Sequence, residues 1–133
     1  MMMLALAPLL LTAALESEVT TLAGLKGSSG NVDGVGEAAR FKYPSGVAID
    51  SGRGVALVTD KNNHALRQVN LTSGAVTTLA GLKGSKGTVD GVGEAARFRN
   101  PFGVAIDSGR GVALVMDKNN HALRQVNLTS GAV

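Results

Sequence analysis

The residues with the chemistry to act on another molecule are few, and they come in pairs. His64 and His121 are the only histidines in the 133 residues. A protein zinc site needs about three ligands converging on one point, and two imidazoles in separate turns do not supply them. They are expected to be hydrogen-bonded turn residues, as are Asp60, Asn63, Asp117 and Asn120. Asn31-x-Asp33-Gly34-x-Gly36-Glu37 sets oxygen groups at alternating positions, as a calcium loop does. In its second occurrence Thr88 replaces Asn31, and Glu94 follows too closely to serve as a bidentate ligand. Asp33 and Asp90 are therefore expected to brace their loop through backbone hydrogen bonds. Gly34 to Ala39 contains a Gly-x-Gly-x-x-Ala string, but no strand leads directly into it and no βαβ unit surrounds it, so it does not read as a phosphate cradle. No Ser/His/Asp set or acid pair stands out. The expectation is a chain that is not an enzyme and uses no metal or cofactor.

Two further sites concern modification. Asn70-Leu71-Thr72 and Asn127-Leu128-Thr129 are acceptor sequences for N-glycosylation. They have a use only in a secreted chain. Leu4 to Leu15 is apolar apart from Thr12, and Thr12-Ala13-Ala14 offers small residues for signal cleavage, although no basic residue precedes the run. Residues 1–15 are therefore read as signal-peptide-like, with a start upstream of the first true repeat as the alternative. The run is too short to span a bilayer as a helix. A secreted, extracellular location follows as an expectation.

Composition narrows the classes. The absence of cysteine excludes a disulfide framework, a thiolate metal site and a cysteine nucleophile. The net charge of +3 is spread along the chain, so neither a nucleic-acid arm nor a polybasic membrane tail is indicated. Phe41, Tyr43, Phe98 and Phe102 are the only aromatic residues, so the core must be aliphatic.

The elements that position these residues are set by a repeat. Residues 19–75 overlay residues 76–132 with six substitutions, Ser29/Lys86, Asn31/Thr88, Lys42/Arg99, Tyr43/Asn100, Ser45/Phe102 and Thr59/Met116. Each copy should thus form the same supersecondary unit. Within one copy, short apolar runs alternate with turn signals, and no segment has helical period. Strands are predicted over Gly46 to Asp50, Val55 to Thr59, His64 to Leu71 and Ala75 to Ala80. Leu25 to Tyr43 is a long Gly-rich connection in which Gly36 to Phe41 forms one helical turn and Phe41 docks on the sheet. The two central strands are apolar on both faces, so both sides of the sheet must be covered. Four-stranded antiparallel sheets packed face to face around an axis, a β-propeller, meet that requirement.

The succession Val19-Thr-Thr-Leu-Ala-Gly24, Asp33-Gly-x-Gly-x-x-Ala-x-Phe41, Pro44-x-Gly-Val-Ala-Ile-Asp50 and Asp60-x-x-Asn-His-x-Leu-Arg67 resembles the NHL repeat in its long-loop form, over both copies end to end. Ala56-Leu57-Val58-Thr59-Asp60 departs from the family's usual aromatic and Val-Ala-Asp at that point, which predicts weaker packing there. The resemblance implies an all-β propeller of about six blades. Residues 16–75 would form the first blade with a preceding outer strand at 18 to 23, and residues 76–133 a second blade lacking its outer strand. Two blades cannot close a ring. Either the sequence belongs to a longer array, or copies join head to tail with residues 18 to 23 donated to a neighbour.

The resemblance also implies a non-enzymatic binding module for a protein or glycan. The Ser51 to Gly54 turn and the Asn70 and Asn127 turns lie at one end of the blades, the long loop at the other. The expected binding face is therefore Lys26, Arg40, Lys42, Tyr43, Lys61 and Asn62, with Lys83, Arg97, Arg99, Lys118 and Asn119 from the second copy. Some family members bind RNA, but rings for base stacking are few here, so nucleic acid is not the expected partner. Others are metal-dependent lyases, which the two histidines do not favour.

Overall fold

The computed structural model describes residues 17–133, so the apolar run at 1–15 lies outside the described residues. The described residues form eight strands: β1 (Gly34–Val35), β2 (Pro44–Asp50), β3 (Val55–Asp60), β4 (Ala65–Asn70), β5 (Ala75–Ala80), β6 (Pro101–Asp107), β7 (Val112–Asp117) and β8 (Ala122–Asn127). They make one five-stranded sheet in the order β1-β5-β4-β3-β2 and one three-stranded sheet in the order β6-β7-β8, both antiparallel. These are two propeller blades, and they are not closed into a ring. No helix among the described residues is long and apolar enough to cross a membrane.

Turn chemistry sets the strand boundaries. Asp50 Oδ1 accepts the Arg53 amide at 3.2 Å, and Gly54 leaves the turn at φ 67°. Asn70 Oδ1 accepts the amides of Thr72 and Ser73, both at 2.9 Å. Such side-chain mimicry of a backbone turn is why Asp and Asn punctuate strands. Lys61–Asn63 makes a single 3₁₀ turn that ends on His64 in the left-handed region, φ 55°. The helical turn expected in the long connection is a 3₁₀ turn over Gly36–Ala38, and Phe41 packs against Ala39, Val69 and Val76.

Two features depart from the strands expected. The long connection adds a strand of its own, β1, whose Gly34 and Val35 pair with Val76 and Ala75 on the outer edge of the first blade. Residues 18 to 23, expected as an outer strand, carry no strand pairing. They are nevertheless seated as the matching residues of β5 are. The Gly24 amide donates to Gly36 O at 3.0 Å, and the Gly81 amide donates to Gly93 O at the same distance. The Leu22 carbonyl rests over Gly74, where a Cβ would collide with it, and the Leu79 carbonyl rests over Gly131 in the same way.

The core lies in the seam between the two sheets. Leu57, Leu66 and Ala80 from the first blade interlock with Phe98, Ala113, Val115, Val126 and Leu128 of the second, with Val104 and Ile106 packed against them. The weaker packing expected around Ala56 to Asp60 does not occur, because Leu57 is fully buried in this seam. Toward the inner strands the blades touch through backbone: a Cβ on Gly46 would lie 2.8 Å from the Phe102 carbonyl. The Ser45 and Thr59 hydroxyls donate to that carbonyl at 2.8 and 3.0 Å.

Candidate functional site

Each repeat is held by a buried ion network that its turn residues build. Asp60, on the last position of β3, accepts Arg67 Nη1 at 2.7 Å and Asn63 Nδ2 at 2.7 Å through Oδ2, and the Lys42 amide at 2.8 Å through Oδ1. Arg67 is fully buried. It donates onward to the carbonyls of Arg40 and Val32 and to Asp33 Oδ1 at 2.8 Å, and its guanidinium lies 5.1 Å from the Phe41 ring centroid. Such a charge is tolerable only when paired and bonded on several sides. The second repeat reproduces the arrangement with Asp117, Asn120, Arg124 and Asp90. Asp33 and Asp90 thus brace the loop through arginine side chains, where backbone hydrogen bonds were expected. Burial pushes the Asp33 pKa upward, but hydrogen bonds from Arg67 and Thr78 and the charge of Arg67 outweigh it and hold the carboxyl below its ordinary value. Among the described residues no group of three or more His, Asp or Glu side chains is placed to hold a metal ion.

The end of the blades that carries the Lys61–Asn63 turn opens into a polar groove of about 560 Å³ at the seam, whereas the Gly36–Ala38 turn of the long connection, expected at this end, lies at the other end, where the Gly36 amide donates to Gly74 O at 2.9 Å. The groove is lined by Ser29, Asn31, Lys42, Asn62, His64 and Gly84 among others. The Gly84 amide donates to Asn63 O at 3.0 Å and the Asn100 amide donates to His64 Nδ1 at 3.0 Å, so the two repeats jointly build its floor. Burial lowers the His64 pKa, and the cations Lys86, Arg99 and Lys42 add to that effect against an opposing pull from Asp117. The imidazole is therefore neutral, and the fixed charges around the groove are mainly positive.

Of the residues expected on one binding face, the structure brings Lys42 and Asn62 into this groove, with Arg99 beside it. Lys61 is half-buried, and its carbonyl accepts Asn100 Nδ2 at 3.5 Å. Tyr43 is exposed at φ 52°. Lys118 lies over the Phe102 ring, 5.3 Å from its centroid, and Asn119 Nδ2 donates to Asn100 Oδ1 at 3.1 Å. Four residues stand apart. Arg40 and Arg97 fold back on the carbonyls of their own 3₁₀ turns, at Glu37 and Ala39 and at Glu94 and Ala96. Lys83 pairs with Asp33 at 3.3 Å on the outer edge, and Lys26 sits in the exposed turn from Leu25 to Ser28. Asn31 and Gly84 were not named for this face. The differing pair Ser29/Lys86 pointed toward it, since it marks where two near-identical repeats diverge. Asn70 and Asn127 are exposed on turns at the opposite end.

Two antiparallel sheets of the same repeat, stacked about a shared seam with the inner strands in backbone contact, are blades of the β-propeller kind. The family profile of the NHL repeat matches residues 41–69, and the chain belongs to the NHL-repeat family. NHL repeat-containing protein 2 of Bos taurus is 33% identical over 104 residues, covering 78% of this chain, and the Homo sapiens protein is 32% identical over the same span. The chain spans 14% of the length of each of these relatives. Among solved structures, an auxiliary nutrient binding protein from Bacteroides thetaiotaomicron superimposes with a TM-score of 0.67 at 28% identity, covering 77% of this chain and 27% of that one. A second protein from that organism, put forward as a phosphatase, gives a TM-score of 0.69 at 27% identity, covering 79% of this chain and 26% of that one.

Proposed function

We propose that these repeats form a non-enzymatic binding scaffold whose groove beside the Lys61–Asn63 turn takes a protein or glycan ligand bearing acid groups. The observation that carries this reading is the groove itself. Lys42 and Asn62 line it beside a neutral His64, and Lys86 and Arg99 contribute their positive field from the second repeat. Polar groups placed in a concavity fix a ligand's orientation, and the charge selects anionic partners. The likeness to a nutrient binding protein supports a binding role. The proposal extends to an extracellular location, which the apolar run at Leu4 to Leu15 supports. The exposed Asn70 and Asn127 turns would carry glycans at the end away from the groove.

Titration with an acidic oligosaccharide and with an acidic peptide tests this reading. Lys42→Ala and Asn62→Ala should each weaken binding of one of them about tenfold, the loss of roughly 1.4 kcal/mol. Arg40→Ala, outside the groove, should leave it unchanged. Equal affinity in all four proteins would remove the groove as the site.

A further inference from the structure

The groove at the internal seam is where the two copies of the repeat cease to be copies. Ser29/Lys86 and Lys42/Arg99 place both members of their pair around it, and Asn31/Thr88 and Tyr43/Asn100 place one member each. The other two pairs meet at the inner strands, where Ser45 and Thr59 bond to the Phe102 carbonyl. Residues that hold a blade together must recur in every blade, so divergence gathered at one concavity marks a surface that reads something other than its neighbour.

Three properties of the groove specify what it reads. The first is charge. Lys42, Lys86 and Arg99 are exposed and lie close enough to His64 to act on its charge. Among the described residues none of these three cations has a carboxylate within ion-pair distance. The Asp117 carboxylate behind them is taken by Arg124, Asn120 and the Arg99 amide. The second property is a donor whose proton is fixed in place. His64 Nδ1 accepts the Asn100 amide at 3.0 Å, so the neutral ring carries its proton on Nε2. Among the described residues Nε2 has no hydrogen-bond partner, which leaves that N–H to the groove His64 lines. The third is the rest of the lining. Ser29, Asn31 and Asn62 present hydroxyl and amide groups that both donate and accept, as the hydroxyls of a sugar do. A Cβ on Gly84 would lie 3.9 Å from Asn31 Nδ2, so the second repeat closes the wall in ordinary contact.

Resting on the reading of this groove as a site for acid-bearing ligands, we propose that it takes a saccharide carrying a tetrahedral oxyanion, a phosphate or sulfate ester, held between Lys42, Lys86, Arg99 and His64. A carboxylate offers two oxygens in one plane, which a single Arg fork satisfies. An ester of this kind offers three terminal oxygens that point in different directions. The donors here also come from different directions: Lys42 precedes β2, His64 ends the turn after β3, and Lys86 and Arg99 stand in separate parts of the second long connection. The sugar hydroxyls then meet Ser29, Asn31 and Asn62.

Calorimetric titration of the whole chain with glucose 6-phosphate, glucose 6-sulfate and glucuronate, at one ionic strength, tests this. The three share a sugar ring and differ in the acid at its sixth carbon. At least one ester should bind about tenfold more tightly than glucuronate, and the tighter of the two identifies the ester. Lys86→Ala and Arg99→Ala should each weaken that ester about tenfold. Both side chains are exposed, and the bonds Arg99 makes to the fold come from its backbone, so neither change should disturb folding. Arg110→Ala, on the Ser108 to Gly111 turn at the other end of the blade, should change nothing. Glucuronate binding as tightly as both esters overturns the proposal, as does ester binding that is the same in Lys86→Ala and Arg99→Ala. If no sugar binds while an acidic peptide still binds and loses affinity in Lys42→Ala, the saccharide ester is overturned and the acid-binding groove stands. If no acidic ligand binds, both fall.

Discussion

Leu57 and Leu66 in the first repeat are fully buried, whereas Leu114 and Leu123, in the same sequence context, are 36% and 65% exposed. The two sets share strand, register and hairpin: β3 pairs with β4 as β7 pairs with β8. The difference is what lies against the sheet. A blade of this repeat supplies its own hydrogen bonds and its own ion network, but its aliphatic faces are buried only by another blade. The substitutions follow that division. Ser45 and Thr59 bond to Phe102 O across the closed seam, and their counterparts on the open face are Phe102 and Met116, both exposed. The open face of the second blade is therefore more apolar at these two positions than the closed face it copies.

The largest contrast should come from the ion networks. Asp60 and Asp117 are both fully buried, but Arg67 is sealed whereas Arg124 reaches solvent at 7% exposure. Asp60→Asn leaves a buried guanidinium short of its counter-charge and should cost about 3–5 kcal/mol of unfolding free energy. Asp117→Asn should cost distinctly less, because water can reach Arg124. Urea unfolding of both variants measures the gap. Equal losses would mean that the seam does not seal the first network.

A smaller contrast isolates the seam itself. Leu66→Ala should cost about 2–5 kcal/mol of unfolding free energy through its cavity. Leu123→Ala should stay within about 0.5 kcal/mol, as surface changes do. Equal losses at the two leucines would mean that packing across the seam does not set the difference.

The sequence made the strands legible because each is bounded by a local signal: Asp50 and Gly54, Asp60 and Asn63, Asn70 and Gly74 fix turns within a few residues of themselves. It left β1 unread. Gly34–Val35 is a strand only because Ala75 and Val76 lie beside it, and a pairing so far along the chain leaves no mark on two residues. Arg67 was visible within the signature, yet its burial was not. Charged residues are rarely fully buried unless paired, and the partners Asp60 and Asp33 converge on it only after the hairpin and the long connection are folded. For the same reason Arg40 and Arg97 read as surface cations although their guanidinium groups are committed to nearby carbonyls. The groove lies across the seam, with Asn62 and His64 from one repeat and Gly84 from the next, and neither repeat alone spells it out.

The least of the expected effects concerns pH, and it rests on His64. His64 sits in the closed seam as the acceptor of the Asn100 amide, a role that requires the neutral ring, and burial lowers its pKa. The unfolded chain takes up this proton near the ordinary histidine value of about 6.5, while the folded chain resists it. Above that value neither state is protonated and the seam is at full strength. Below it the unfolded state binds more protons, so stability must fall as pH drops. The loss from Asp33 lies at lower pH: its folded pKa is held below the ordinary value, so its contribution starts to go only where the unfolded carboxyl takes up a proton, at about pH 4. Unfolding free energies from about pH 7.5 to about 5.5 should therefore decline. The decline should flatten in His64→Asn, where the amide oxygen can accept the same proton and Asn tolerates the left-handed backbone. A decline that is unchanged in His64→Asn would mean that the titrating group lies elsewhere and that the closed seam does not hold its histidine neutral.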